Sequence, residues 1–196
     1  MTRIGLFGGT FDPPHNAHVA LASLAVRELA LDELRWIPAG RPWQKSRVIT
    51  PAVHREAMVQ LAMGDEPRFV LERCEILREG PSYTLDTVRE LQAARPHAEW
   101  YLIIGHDQYA ALHTWRDWRE LLGRVTLAVA NRPGVLAEPH ADVKAFAHRA
   151  VPLPMLDIAS TDIRTRVASG QDISTLVPAD VARYIEAHHL YHALRG

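Results

Sequence analysis

Short apolar runs alternate with amphipathic segments along most of this chain. The apolar runs predict strands at 4–7, 34–38, 68–72, 100–104, 125–130 and 151–153. Helical spacing with cap and proline signals predicts helices at 19–31, 51–63, 84–94, 106–113, 117–122, 143–148, 160–168 and 178–188. This alternation favours an α/β fold, a parallel sheet with helices on both faces. The most apolar run, 100–104, should be a central strand and 151–153 an edge strand.

The stretch between the first strand and the first helix has the composition of a phosphate site. Gly8 and Gly9 would let the main chain turn sharply and approach a ligand closely. The first turn of the next helix should direct N–H groups and the positive end of the helix dipole to the same place. His15 and His18 are three residues apart, so we expect both rings on one helix face. Two imidazoles there suit the charge that develops in a phosphoryl transfer.

Two other interpretations of these residues stay open at this point. A glycine pair after a strand is often only a tight turn. His15 and His18 could also bind a metal ion, with Asp12 as a third ligand. Against the metal, Pro13 and Pro14 break the helical register and are expected to turn Asp12 elsewhere.

Helix starts supply two further expectations. Thr50 should cap a helix that begins at Pro51. Ser160 can cap the helix 160–168, and Arg164 lies one turn further along the same face. A hydroxyl, N–H groups and a guanidinium would then form a second anion site. The alternative is a routine cap followed by a solvated arginine.

Composition excludes several classes of protein. The 196 residues fit a single domain over 1–196, and a net charge of -1 implies no general attraction to nucleic acid or to a membrane. Cys74 is the only cysteine, so an internal disulfide and a cysteine metal cluster are excluded. No targeting segment and no apolar run of about twenty residues is present. We therefore expect a cytoplasmic protein, with a homo-oligomer left open.

The stretch 8–18, GGTFDPPHNAH, resembles the GGTFDPxHxGH motif of the nucleotidyltransferases, most nearly that of the bacterial nicotinate mononucleotide adenylyltransferases. Further segments recur in that family's order: PSYT at 81–84, IIGHD at 103–107, TW at 114–115, RPG at 132–134, STDIR at 160–164 and YIEAHHLY at 184–191. The resemblance covers nearly the whole chain. It implies a Rossmann-like parallel sheet with helices on both faces, the nucleotidyltransferase fold, and a C-terminal helical segment from about residue 160.

The resemblance also implies a reaction. The adenylyl group of ATP would pass to nicotinate mononucleotide, giving deamido-NAD and pyrophosphate in NAD biosynthesis, with Mg²⁺ carried mainly by ATP. Alternative acceptors are nicotinamide mononucleotide and phosphopantetheine. A non-catalytic nucleotide-binding regulator also stays open, because Ala17 replaces the glycine of the motif and His106 departs from the family's commoner residues.

Site residues follow from the resemblance position by position. The expected ATP contacts are Gly8, Gly9, Thr10, Phe11, His15, His18, Asp107, Ser160, Thr161 and Arg164. His15, His18 and Arg164 are the expected catalytic residues. The expected nicotinate mononucleotide contacts are Thr10, Lys45, Tyr83, Thr84, Trp115 and Arg132. Trp115 would stack on the pyridine ring, main-chain N–H groups would receive its carboxylate, and no residue is expected to bind metal.

Overall fold

A parallel sheet of six strands organises the protein, as seen in a computed structural model that describes residues 1–40, 48–131, 138–152 and 156–192. The strands are β1 (Arg3–Gly9), β2 (Glu33–Pro38), β3 (Phe69–Leu71), β4 (Glu99–Gly105), β5 (Thr126–Asn131) and β6 (His148–Pro152). Their order across the sheet is β3-β2-β1-β4-β5-β6, and every neighbouring pair is parallel. The predicted α/β class and the central place of β4 are confirmed.

Helices connect the strands and cover the sheet. They are α1 (Asn16–Glu28), α2 (Ala52–Met63), α3 (Cys74–Leu77), α4 (Thr84–Ala94), α5 (His106–Ala110), α6 (Trp118–Arg124), α7 (Ala141–Lys144), α8 (Ser160–Ala168) and α9 (Ala179–Ala187). A 3₁₀ turn covers Leu112–Thr114. Within the described ranges, no helix combines the length and the apolar character that crossing a membrane requires.

The core lies on both faces of the sheet. One face packs around Trp36 and Ile103, and the other around Leu102 and Ile104. Because neighbouring residues of a strand point to opposite faces, a strand covered on both sides has a continuous apolar sequence. A third cluster, around Met58 and Ile163, joins α2, α8 and α9.

The topology creates a crevice at one edge of the sheet. From β1 the chain moves outward to β2 and β3, and it then returns to place β4 on the other side of β1. Ligands of open parallel sheets bind beyond the carboxyl ends of the strands at such a switch point. In this chain the switch point lies between Gly9, which ends β1, and Gly105, which ends β4.

Several element bounds differ from the predicted ones. The predicted bounds of α4 and α8 are confirmed at both ends, but α1 begins earlier, at Asn16. The predicted helix 143–148 is wrong after Lys144: His148 pairs with Leu127 and begins β6, the expected edge strand. The four-residue α3 was not predicted, because it is too short to show a helical period.

The expected Thr50 cap is also wrong. Pro51 occupies the N-cap position of α2, and no side chain caps this helix. The main chain of Thr50 makes other contacts: its N–H donates to a carboxylate oxygen of Asp12, and its carbonyl accepts from Arg55. Thr50 therefore joins α2 to the loop that follows β1.

Two glycines give a matched test of the packing. A Cβ on Gly40 would lie 2.0 Å from the main-chain oxygen of Glu75, whereas a Cβ on Gly123, within α6, would meet nothing within 4 Å among the described residues. We expect Gly40→Ala to destabilise the fold by about 1–3 kcal/mol through overpacking. Gly123→Ala should stabilise it by up to about 1 kcal/mol through helix propensity. Urea unfolding measures both, and changes of the same sign would contradict this packing.

Candidate active site

A cavity of about 480 Å³ lies at the carboxyl ends of β1 and β4. Its wall includes the end of β1 with the following loop, the start of α4, the end of β4 and the segment before α6. Residues of α1, α3 and α8 and the end of β2 also belong to it. Thr10 and His18 lie on the wall, as do Thr84 and Trp115. Thr10 and His18, expected to contact ATP, therefore share one cavity with Thr84 and Trp115, expected at the pyridine ring.

Gly8 and Gly9 do not make the sharp turn that the sequence suggested, because both belong to β1. The residue with a left-handed backbone is Phe11, at φ 51°. A Cβ on Gly8 would meet nothing within 4 Å among the described residues, so its absence leaves this part of the wall open. A Cβ on Gly9 would lie 2.9 Å from the ring of Phe11. Gly9 therefore makes room for the residue that turns the chain.

The two motif histidines come together as expected. His15 is the N-cap residue of α1, and His18 lies in its first turn. Their rings stack with centroids 3.7 Å apart and planes inclined by 23°. Only His18 belongs to the cavity wall, while His15 is 5% exposed and supports it.

A main-chain contact sets the tautomer of His18. The N–H of His15 donates to Nδ1 of His18 at 3.1 Å. Because a backbone amide only donates, Nδ1 must accept, and the proton of a neutral His18 ring lies on Nε2. Burial lowers the pKa of His15 to about 4, and burial together with His15 lowers the pKa of His18 well below 6.5. At neutral pH His18 is therefore an uncharged ring with an N–H donor at Nε2.

The first-turn amides of α1 are less open than expected. The N–H of Asn16 donates to the carbonyl of Leu176 at 2.9 Å, and the N–H of His18 donates to the carbonyl of His15 at 2.9 Å. The C-terminal part of the chain packs against this helix end and supplies the acceptor for Asn16. The expected anion site on these amides is therefore wrong for these two residues.

The start of α8 contacts the motif loop. Ala159, not Ser160, is the N-cap residue, and the hydroxyl of Ser160 donates to the carbonyl of Pro13 at 2.9 Å. The Arg164 guanidinium donates to the carbonyl of Asp12 at 2.8 Å and to the Thr161 hydroxyl at 3.1 Å. Ser160 lies on the cavity wall. The second predicted group of donors therefore lies beside the first, although the capping role of Ser160 was wrong.

The residues expected around the pyridine ring line the opposite part of the cavity. Tyr83, Thr84 and Trp115 belong to its wall, and Thr84 is the first residue of α4, where helix N–H groups have no intrahelical acceptor. The Arg116 guanidinium lies 4.7 Å from the centre of the Tyr83 ring. The buried hydroxyl oxygen of Ser82 has no hydrogen-bond partner among the described residues. This part of the wall offers an aromatic face, a helix N-terminus and an unused hydroxyl.

Some predicted residues lie elsewhere. Asp107 is exposed and is not part of the wall, which instead includes Gly105 and Gln108. Thr161 is exposed beside Arg164. Lys45 and Arg132 lie outside the described residues.

Sequence reasoning missed Arg55, which is 1% exposed. Its guanidinium donates to the carbonyls of Thr50 at 2.8 Å, Thr10 at 2.9 Å and Gly40 at 3.2 Å. Arg55, on α2, therefore holds the loop after β1 through the carbonyl of Thr10. The sequence did contain a signal for Arg55. This residue lies three residues before the buried Met58 and therefore places a charge on the apolar face of the helix.

The described ranges contain no group of three histidine, cysteine or acidic side chains suited to a metal ion. The Asp12 carboxylate, considered as a third ligand, accepts from the hydroxyl of Tyr191 at 2.7 Å and from the N–H of Thr50 at 3.4 Å. These two partners thus lie in the C-terminal segment and before α2, although Asp12 itself belongs to the cavity wall.

The fold and this site define the class. A family model described as Cytidylyltransferase-like matches residues 6–166, and the chain belongs to that family of nucleotidyltransferases. Two proteins named "Probable nicotinate-nucleotide adenylyltransferase" cover nearly all of it. The protein from Methylibium petroleiphilum is 53% identical over 99% of this chain and 94% of its own length. The protein from Albidiferax ferrireducens is 46% identical over 97% of this chain and 98% of its own length. Within the class, the chain therefore belongs to the nicotinate-nucleotide adenylyltransferases.

Solved structures support the fold independently. A nicotinic acid mononucleotide adenylyltransferase from Plasmodium falciparum, complexed with NaAD, superposes with a TM-score of 0.82. It is 18% identical and covers 97% of this chain and 98% of its own. The same protein complexed with APC gives a TM-score of 0.81. The architecture is therefore shared although most side chains differ.

Acid should destabilise the fold through the histidine pair. Unfolded imidazoles take up protons near pH 6.5, whereas folded His15 resists until about pH 4. Between these values the unfolded chain binds more protons, so the free energy of unfolding falls as the pH is lowered, by a few kcal/mol at most, since each pKa unit is worth about 1.4 kcal/mol. Urea unfolding between about pH 7 and pH 4.5 should show this loss.

The matched variants identify the source of this pH dependence. A double variant, His15→Gln with His18→Gln, should lose less stability on acidification than the wild type, because it lacks both groups. His97→Gln, at an exposed side chain, should keep the wild-type slope. A double variant as acid-sensitive as the wild type would contradict the assignment.

Proposed function

We propose that this protein transfers the adenylyl group of ATP to nicotinate mononucleotide, releasing pyrophosphate and deamido-NAD. One observation carries the proposal: the wall of one cavity holds a neutral imidazole donor at one end and, at the other, an aromatic face with a helix N-terminus. The names of the full-length relatives support the same reaction. Because the sole cysteine fits a reducing compartment, we place the reaction in the cytoplasm.

The chemistry requires positioning more than proton transfer. An oxygen of the mononucleotide's 5′-phosphate attacks the α-phosphorus of ATP in line, and the bond from that phosphorus to the bridging oxygen breaks. Pyrophosphate leaves with the electron pair. The attacking phosphate is already an anion, so no general base is needed, and ATP enters as its Mg²⁺ complex.

His18 is the group best placed to stabilise the transition state. Its Nε2–H can donate to an oxygen of the transferring phosphoryl group, where negative charge increases. A neutral donor held by a main-chain contact needs no proton uptake before the reaction. His15 stacks on this ring and supplies the amide that orients it.

We assign the departing pyrophosphate to the start of α8. Ser160 is on the wall, and Arg164 lies beside it with its guanidinium on the motif loop. Lys45 and Arg132 remain predicted contacts of nicotinate mononucleotide, and Asp107 remains a predicted contact of ATP, which we assign to a ribose hydroxyl. A ribose at Asp107 would extend beyond the wall formed by Gly105 and Gln108.

The opposite end of the cavity favours a carboxylate on the pyridine ring. The N-terminus of α4, which begins at Thr84, attracts an anion through its N–H groups and its dipole. Trp115 supplies a face for stacking, and the Ser82 hydroxyl can donate to a carboxylate oxygen. The amide NH₂ of nicotinamide would instead place donors against donors, which is costly in a buried site.

Pyrophosphate release with different acceptors tests the function. We expect kcat/KM for nicotinate mononucleotide to exceed that for nicotinamide mononucleotide by about 10-fold to 100-fold, the cost of leaving buried donors unpaired. Phosphopantetheine should be a poorer acceptor still, because it lacks a ring to stack on Trp115.

ATP binding is measured in parallel by calorimetry. A preference for nicotinamide mononucleotide would contradict the assigned substrate. Protein that binds ATP but releases no pyrophosphate with any acceptor would contradict the activity and support a regulator.

A further inference from the structure

The buried Asp12 joins three distant parts of the chain. The residue is 1% exposed, and its Oδ1 accepts a hydrogen bond from the Tyr191 hydroxyl at 2.7 Å. Its Oδ2 accepts the N–H of Thr50 at 3.4 Å, and its carbonyl accepts the Arg164 guanidinium at 2.8 Å. The Tyr191 contact spans 179 residues of sequence, from the C-terminal segment to the motif loop.

Tyr191 lies in a turn that follows α9. After α9, His189 and Tyr191 adopt φ values of 50° and 64°, in the left-handed region that non-glycine residues rarely occupy. Tyr191 then packs beside the cluster of α2, α8 and α9. Burial and the Asp12 carboxylate raise the pKa of Tyr191, so the phenol remains protonated and donates. The left-handed His189 ends α9, where the N–H of Leu190 donates to the carbonyl of Ile185 at 3.0 Å. The turn that follows places the Tyr191 hydroxyl on the Asp12 carboxylate.

A short stretch of restricted main chain leads from Asp12, which itself lies on the cavity wall, to the histidine pair. Pro13 and Pro14, whose rings restrict φ, separate Asp12 from His15. The N–H of His15 then donates to Nδ1 of His18 and fixes its tautomer. A shift of the Asp12 carboxylate would therefore move the amide that orients the Nε2 donor of His18.

We propose that Tyr191 is a positioning residue for adenylyl transfer: through Asp12 and the proline pair it holds the amide of His15 against His18. The inference rests on the proposed function, in which His18 contacts the transferring phosphoryl group. Other bonds hold the loop independently of Tyr191, including those from Ser160 to Pro13 and from Asn16 to Leu176. Loss of the Tyr191 hydroxyl should therefore leave the protein folded but misalign the Nε2–H donor of His18.

Tyr191→Phe removes only the hydroxyl. The matched control is Tyr184→Phe. The Tyr184 hydroxyl, on α9, makes a partly buried contact with α2, 3.0 Å from Nδ1 of His54, and neither residue lines the cavity. We expect Tyr191→Phe to lower kcat about tenfold, as for loss of one hydrogen bond to a charged group, with KM for both substrates within about twofold. Tyr184→Phe should keep kcat within about twofold of wild type.

A kcat of Tyr191→Phe within twofold of wild type would overturn the proposal. An equal loss of kcat in both variants would overturn it too, since the effect would then be one of general stability.

The ring nitrogens of His18 give a readout that does not depend on activity. In ligand-free protein labelled with ¹⁵N, the His18 signals, assigned with His18→Gln, should show protonated Nε2 and unprotonated Nδ1. Tyr191→Phe should shift them toward mixed tautomers, and Tyr184→Phe should not. Unchanged His18 signals in Tyr191→Phe would overturn the positioning role. If the wild type releases no pyrophosphate, the proposed function fails, while this spectrum still tests the path from Tyr191 to His18.

Discussion

One main-chain hydrogen bond, from the N–H of His15 to Nδ1 of His18, sets the hydrogen-bonding character of the histidine on the cavity wall. It leaves the proton of the ring on Nε2, and burial keeps the ring uncharged. An imidazole in this state donates a hydrogen bond at neutral pH without first binding a proton. Adenylyl transfer from one anion to another needs such a donor, because charge accumulates on the phosphoryl oxygens and no proton has to move.

That bond depends on the loop between β1 and α1, and the loop depends on contacts from far along the chain. Arg55 holds Thr10 from α2, Ser160 holds Pro13 from α8, and Tyr191 holds Asp12 from the C-terminal segment. The sheet supplies the crevice, and these side chains hold the loop that leads to His15 and His18. A site that works by positioning gains most from such support, since small displacements of a donor cost much of its effect.

Local pattern was sufficient for the architecture, and the family resemblance identified part of the cavity wall. The strand and helix alternation predicted the sheet, and the motif residues at Thr10, His18, Thr84 and Trp115 do share one cavity. Local pattern failed where distant contacts decide the outcome. The glycine pair suggested a turn, but β1 continues through Gly9 to its pairing with β2.

Distant contacts explain the other differences at the site as well. The N–H groups of the first turn of α1 were expected to face a ligand, yet that of Asn16 donates to Leu176, a contact that residues 8–18 alone could not show. Thr50 likewise does not cap α2 as predicted, and its main chain contacts Asp12 and Arg55 instead. Of these contacts, only those of Arg55 had a local signal in the sequence, a charge on the apolar face of a predicted helix.

Turnover of two His18 variants tests the central claim most directly. If His18 acts as a neutral Nε2 donor, His18→Ala should lower kcat for pyrophosphate release by about 10²–10³-fold, the usual cost of removing one such donor. His18→Gln carries an amide N–H that can reach a similar position and should retain clearly more activity, with unfolding midpoints close to wild type for both. A kcat for His18→Ala within about tenfold of wild type would contradict the account.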